Sequence, residues 1–312
     1  MRRLLGRQES IETISDEAFV DYCYDQFMSR PPHPDEKSAY MTGLAHGMTR
    51  AEILNKFIES VRFQTAMNSS ARAEYVPAGH FGSVIPSQED VAVVDAMTDD
   101  LQNLPGVDLR IEQQIELLES FKPYYDELPY LQTSPPPSLR YETDNPGFSV
   151  SDMILLNGMM RHFKPKRMIE IGCGFSSSVM LDTNEIFFDN QIEQTFVDPY
   201  PQLFQSLVKP EDERRFTLHA RPVQDLPLST FERLETNDIL FIDSSHVSKA
   251  GSDVNYLFFD VLPRLKPGVV VHIHDIFYPL ELPVGWMHEG RFWNEQYLLR
   301  AFLMFNASFE IL

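Results

Sequence analysis

Residues 167–177 read RMIEIGCGFSS, and the fold follows from how this stretch is parsed. Met168, Ile169 and Ile171 make an apolar run too short for an ordinary helix, and Gly172 and Gly174 stop it. That is the pattern of a buried strand ending in a tight turn. Ser176 and Ser177 then open a helical pattern, so the turn brings unpaired N–H groups of a helix N-terminus to the end of a strand. Alone, such a glycine loop fits a nucleotide-type site or a plain strand-to-helix turn equally well.

Downstream the pattern repeats. TFVD (195–198), FTLHA (216–220), DILFID (238–243) and GVVVHIH (268–274) read as four more strands, with helical stretches between most of them, including 253–265. A helix over 149–163 precedes the first strand. Alternating strands and helices predict an α/β fold, a Rossmann-like, doubly wound, mostly parallel sheet whose ligands sit at the carboxyl ends of the strands.

The strand ends carry the chemistry. Asp198 closes the second strand, where a carboxylate can accept both hydroxyls of a ribose. Gln224 and Asp225 follow the third strand, and Asp243 closes the fourth, in a loop that also holds His246. Each acid alone reads as a solvated turn; together beside a glycine loop they read as one site. His272 and His274 are two apart on the fifth strand, so both rings face one side while Val271 and Ile273 face the other. His272 reads as structural and His274, beside Asp275 at the strand end, reads equally as structural or catalytic, whereas His246 is the first choice for a general base.

At this point the chain resembles the class I S-adenosylmethionine (SAM) dependent methyltransferases, and among them a bacterial family with the same strand-end motifs. They are PAGHFGSVIPS (77–87), PKRMIEIGCGFSSSVMLDT (165–183), FVDPYP (196–201), ILFIDSSHVSKAGSDVN (239–255), VVVHIHDIFYP (269–279) and GRFWNEQYLLRAFL (290–303). The resemblance implies SAM as cofactor, with Glu170, Gly172, Gly174, Ser176 and Ser177 at its methionine end, Asp198 at the ribose, Asp225 at the adenine, and Gln224 and Asp243 also among the cofactor-binding residues. It leaves the acceptor open. Ser176 stands where many methyltransferases have a third glycine. Methyl transfer needs alignment and removal of the acceptor proton, which assigns Asp243, His246, His274 and Asp275 to catalysis. A second mechanism places a divalent cation between Asp243 and Asp275. Catechol-type enzymes have a further Asp or Asn after the second acid; here Ile276 stands there, so His246, His274 or Glu281 would have to complete the shell. His80 reads as a surface or structural histidine before a lid residue, and Arg291, Trp293, Asn294 and Glu295 read equally as acceptor contacts or as a helix start packed by one tryptophan.

The N-terminal part has another character. Ser15 caps a helix with Phe19, Val20, Cys23 and Phe27 on one face, Ser29-Arg30-Pro31 breaks it, Pro34 starts a second helix that Gly47 ends, and Thr49 with Glu52 forms a capping box for a third, carrying Ile53, Leu54, Phe57, Ile58 and Val61. The run 19–60 resembles a small helical domain of unassigned role found in bacterial surface-polysaccharide and secretion-associated proteins, which implies docking or homo-oligomer formation. Residues 67–148 are rich in breakers, and Pro135-Pro136-Pro137 favours an extended strap across the surface. The organisation expected is a helical module over 1–66, a connecting or lid segment over 67–148 and a methyltransferase domain over 149–312.

Acidic residues outnumber basic ones 46 to 26, for a formal net charge of −20. Such a surface repels nucleic acid and anionic lipid. Two cysteines give no disulfide framework, and neither a signal peptide nor a long apolar run is present, which predicts a cytoplasmic protein without membrane insertion. The expected activity is O-methylation of a small-molecule or glycan hydroxyl. A nicotinamide-dinucleotide oxidoreductase and a non-catalytic SAM-binding protein are the alternatives. The chain stops at SFEIL (308–312), in what reads as a sixth strand of a seven-strand fold, and so reads as a fragment of a longer protein.

Overall fold

A computed structural model describes residues 14–24, 31–57, 76–96, 104–132 and 139–312. The chain forms two compact units, Met1–Pro77 and Ala78–Leu312.

In the first unit Ser15 Oγ accepts from Ala18 N at 3.2 Å and opens the helix Asp16–Cys23. The helix Pro34–Ala45 begins with proline in its first turn. Thr49 N donates to Glu52 Oε2 at 2.7 Å and Glu52 N to Thr49 Oγ1 at 3.2 Å, the reciprocal box expected ahead of the helix over 50–57. Phe19, Val20, Cys23, Tyr24, Ile53 and Phe57 form its core. The expectations for residues 1–13, for Phe27, for Ser29-Arg30, for Ile58 and Val61, and for the triple proline fall outside the described residues.

The second unit is built on five parallel strands: β1 (Arg167–Ile171), β2 (Glu193–Val197), β3 (Phe216–His219), β4 (Ile239–Ile242) and β5 (Val270–Ile273). They lie in the order β3-β2-β1-β4-β5. The order reverses between β1 and β4, where neighbouring connections leave to opposite faces and open a crevice. Both faces are covered, so the central strands are continuous apolar runs. Met168, Ile239, Phe241 and Val270 pack into one core, with the helices Val150–Phe163 and Phe175–Phe188. Ile169, Ile171, Leu240 and Ile242 pack into the other, with residues 254–262.

The described residues on either side of the triple proline reach the core, where Leu128, Tyr130, Tyr141 and Phe148 are buried. Arg140 pins the segment: its side chain, 1% exposed, donates to Asp182 at 2.6 Å, to Glu185 at 2.7 Å and to both oxygens of Asp212 at 2.5 and 2.7 Å. The backbone N–H groups of Arg140 and Tyr141 bind Asp182 as well, at 2.9 and 3.0 Å. The expected sixth strand is absent, since 308–312 is irregular and the described sheet ends at β5. That terminus is instead tied down by Phe305 N to Gly106 O at 2.8 Å, by Arg110 to Glu310, and by Phe309 against Phe302.

Candidate active site

Strand register aligns the site. Val197, Ile171, Ile242 and Ile273 pair across β2, β1, β4 and β5. The residues one step beyond are therefore a row: Asp198, Gly172, Asp243 and His274. Backbone bonds continue the ladder into it, from Gly172 N to Val197 O (2.9 Å), Asp243 N to Ile171 O (2.8 Å) and His274 N to Ile242 O (2.8 Å).

Gly172 and Asp243 flank the crevice. Gly172 has φ +85°, and a β-carbon there would stand 1.7 Å from Asp243 O. Only glycine fits. Cys173 N donates to Asp198 Oδ2 at 2.9 Å and Tyr200 N to Asp198 Oδ1 at 2.6 Å, which fixes the carboxylate beside the turn. Glu170, 1% exposed, accepts from the hydroxyls of Ser176 (2.5 Å) and Ser177. Burial pushes its carboxyl up to about 8, against the opposing pull of the two serines. Glu170 thus shapes the turn from beneath. Gly174 N in turn donates to Ser177 Oγ at 3.0 Å. Past β3, Gln224 Nε2 donates to Gly251 O at 2.9 Å, and Asp225 is exposed.

The catalytic candidates gather at the ends of β4 and β5. His246 is 5% exposed, with Nε2 3.2 Å from Asp243 Oδ1 and Nδ1 3.0 Å from Glu295 Oε2. Burial works against its charge, but the hydrogen bonds to Asp243 and Glu295 prevail and hold it up at about 9. It is an imidazolium at neutral pH. The ring stacks on Trp293 at 4.2 Å. His272 and His274 share one face, as their spacing requires: His272 Nε2 lies 3.3 Å from His274 Nδ1 and its ring stacks on Phe241 at 4.1 Å. Burial, then the neighbouring His274, push His272 down to about 4 and keep it neutral. His274 packs near Phe148 at 5.2 Å, and its Nε2 is 3.8 Å from Asp275 Oδ1. Burial raises the Asp275 carboxyl, and His274 opposes that rise.

The donors for a divalent cation do not fit. Both His246 nitrogens are on carboxylates, and Glu281 Oε1 accepts from Leu282 N at 2.9 Å and from the Tyr297 hydroxyl. Among the described residues no three His, Cys, Asp or Glu side chains converge as ligands. The helix Glu295–Leu303 contributes more than its sequence signalled, since an acid in a first helical turn reads as a dipole partner. Among the described residues no helix is long and apolar enough to cross a membrane.

A parallel sheet in this order, with a glycine turn and a fixed acid at its switch point, is a Rossmann-like fold whose ligand crevice lies at the carboxyl ends of the strands. Residues 169–276 match the family model described as a methyltransferase domain, and the chain is a SAM-dependent methyltransferase. It belongs to the family of an uncharacterized protein of Archaeoglobus fulgidus, with which it is 35% identical over 172 residues, 52% of this chain and 75% of that protein. The SAH-bound methyltransferase PaMTH1 of Podospora anserina is a structural match covering 72% of this chain and 91% of that one, at 16% identity and a TM-score of 0.35. Residues 4–67 match a domain of unknown function, DUF4214.

Proposed function

We propose that the protein methylates a hydroxyl of a small-molecule or glycan acceptor in the crevice between β1 and β4. The row Asp198–Gly172–Asp243–His274 carries this reading, because it sets cofactor-type and base-type groups side by side on one sheet edge. When bound, SAM supplies an electrophilic methyl group on a sulfonium. The Gly172–Gly174 turn and the Ser176–Ser177 helix start receive its methionine end, with Glu170 holding the serines. Asp198 receives the ribose, and Gln224 and Asp225 the adenine.

A histidine whose two nitrogens already donate to carboxylates has no lone pair to offer. His246 therefore holds Asp243, and the proton of the acceptor hydroxyl goes to His274 Nε2, which has no hydrogen-bond partner within 3.5 Å among the described residues. Asp275 is placed to balance the imidazolium that results, and Asp243 orients the hydroxyl. The N-terminal helical unit is assigned to protein docking or homo-oligomer formation. The acidic surface argues against nucleic acid as acceptor, and two buried free cysteines fit a cytoplasmic setting.

The test is S-adenosylhomocysteine release with a library of hydroxyl acceptors, alongside calorimetric titration of SAM and NAD. Binding of SAM, with turnover that His274→Gln abolishes, is expected. Binding of NAD alone would overturn the reading, and SAM binding without turnover on any acceptor would leave a non-catalytic binder.

A further inference from the structure

Glu295 is fully buried, yet its one hydrogen-bond partner among the described residues is His246, and its Oε1 has none. Burying a carboxylate so incompletely satisfied costs free energy that an apolar side chain would avoid. The arrangement is otherwise over-determined. His246 O accepts from Asn294 N (3.1 Å) and Glu295 N (3.2 Å), while Asn294 and Ser248 exchange bonds of 2.6 and 3.2 Å. Trp293 closes one face of the imidazole. His246 itself adopts φ +57°, a left-handed backbone that a non-glycine residue keeps only when its surroundings enforce it. Trp293, Asn294 and Glu295 hold this residue from the start of the helix Glu295–Leu303, and the remaining ring nitrogen reaches Asp243 at the crevice.

We propose that Glu295 is a positioning residue for methyl transfer: it clamps His246 so that Nε2 holds the Asp243 carboxylate in one orientation at the mouth of the crevice. Glu295 touches neither cofactor nor acceptor and acts through two intervening side chains. The inference rests on the reading above that Asp243 orients the acceptor.

The test compares Glu295→Ala and Glu295→Gln in the full chain. Glutamine keeps an acceptor oxygen for Nδ1–H, and alanine keeps none. Alanine should lower kcat by about 100-fold, the order expected when a reacting group is misplaced by about 1 Å, while the SAM dissociation constant stays within about twofold because cofactor contacts are untouched. Glutamine should restore most of the rate. An unchanged kcat in the alanine variant, a loss that merely tracks its folded fraction by circular dichroism, or a folded glutamine variant as slow as alanine would each overturn the proposal. The ring N–H resonances of His246 separate this from failure of the parent reading. If alanine removes the ordered imidazole signals but the wild type turns over no acceptor, the clamp exists and the assigned reaction is at fault. Unchanged signals sink the clamp itself.

Discussion

The carbonyl oxygen of Asp243 occupies the space where residue 172 would carry a side chain: a β-carbon on Gly172 would lie 1.7 Å from it. Two strands that are 71 residues apart by number (243 − 172) are thus locked at the crevice by the absence of one atom. Gly172→Ala must move the β4 backbone or abandon φ +85°. A cost of at least about 3 kcal/mol is expected, with loss of SAM binding in any protein that remains folded. Denaturant unfolding and calorimetry check both, and an alanine variant that binds SAM normally would show the contact to be relaxed in solution.

Asp198 holds the turn and, in the function proposed above, receives the ribose of the cofactor. With Cys173 N and Tyr200 N on its oxygens, removal of the carboxylate leaves two N–H groups without their acceptor. Asp198→Ala should weaken SAM binding by about 100-fold, since hydrogen bonds to a charged group contribute about 1.5–3 kcal/mol. The sheet lies outside this contact, so far-UV circular dichroism should be unchanged. A wild-type dissociation constant in the variant would reject the ribose assignment.

What the sequence made legible was the sheet and its edge. Residues 167–171 are a strand as read, because an apolar run stopped by glycine admits little else, and the acids closing the runs at 198 and 243 land in one row. Parity on β5 put both imidazoles on one face. What stayed hidden depends on contacts distant in the chain. Arg140 meets partners 42 and 72 residues away, so the anchoring of the residues that follow the triple proline could not be read from their local sequence. The charge on His246 depends on Asp243 and then on Glu295, and the second partner, 49 residues on, is out of reach of any local reading.

That charge makes stability depend on pH. His246 is held at about 9 in the folded chain against an ordinary value of 6.5. The folded state therefore binds the proton more tightly, so the stabilisation is fully present below about pH 6.5 and is lost as the pH rises through about 9. The shift corresponds to about 3 kcal/mol at most. The difference in unfolding free energy between wild type and His246→Gln should shrink by that order from pH 6 to pH 9.5, groups other than its partners Asp243 and Glu295 being common to both. A difference independent of pH would mean the ring is neutral throughout.

Arg140 offers the sharpest stability test, because its removal strands charge. Asp182 and Asp212 are as buried as the guanidinium, with side chains 1% and 0% exposed, and Glu185 is partly so. Replacing a buried pair wholesale can be neutral, but removing one partner leaves the others uncompensated and costs about 3–5 kcal/mol. Arg140→Met should fall in that range despite its similar length, and Arg140→Lys should recover little, since one ammonium cannot present the planar fork that spans three carboxylates. Because Tyr141 and Phe148 follow in the same segment, the loss should also raise amide exchange over 139–148 before global unfolding. A methionine variant within about 1 kcal/mol of wild type would imply that Asp182 and Asp212 are protonated in the folded chain, and that the segment is held by its buried aromatic rings and not by charge.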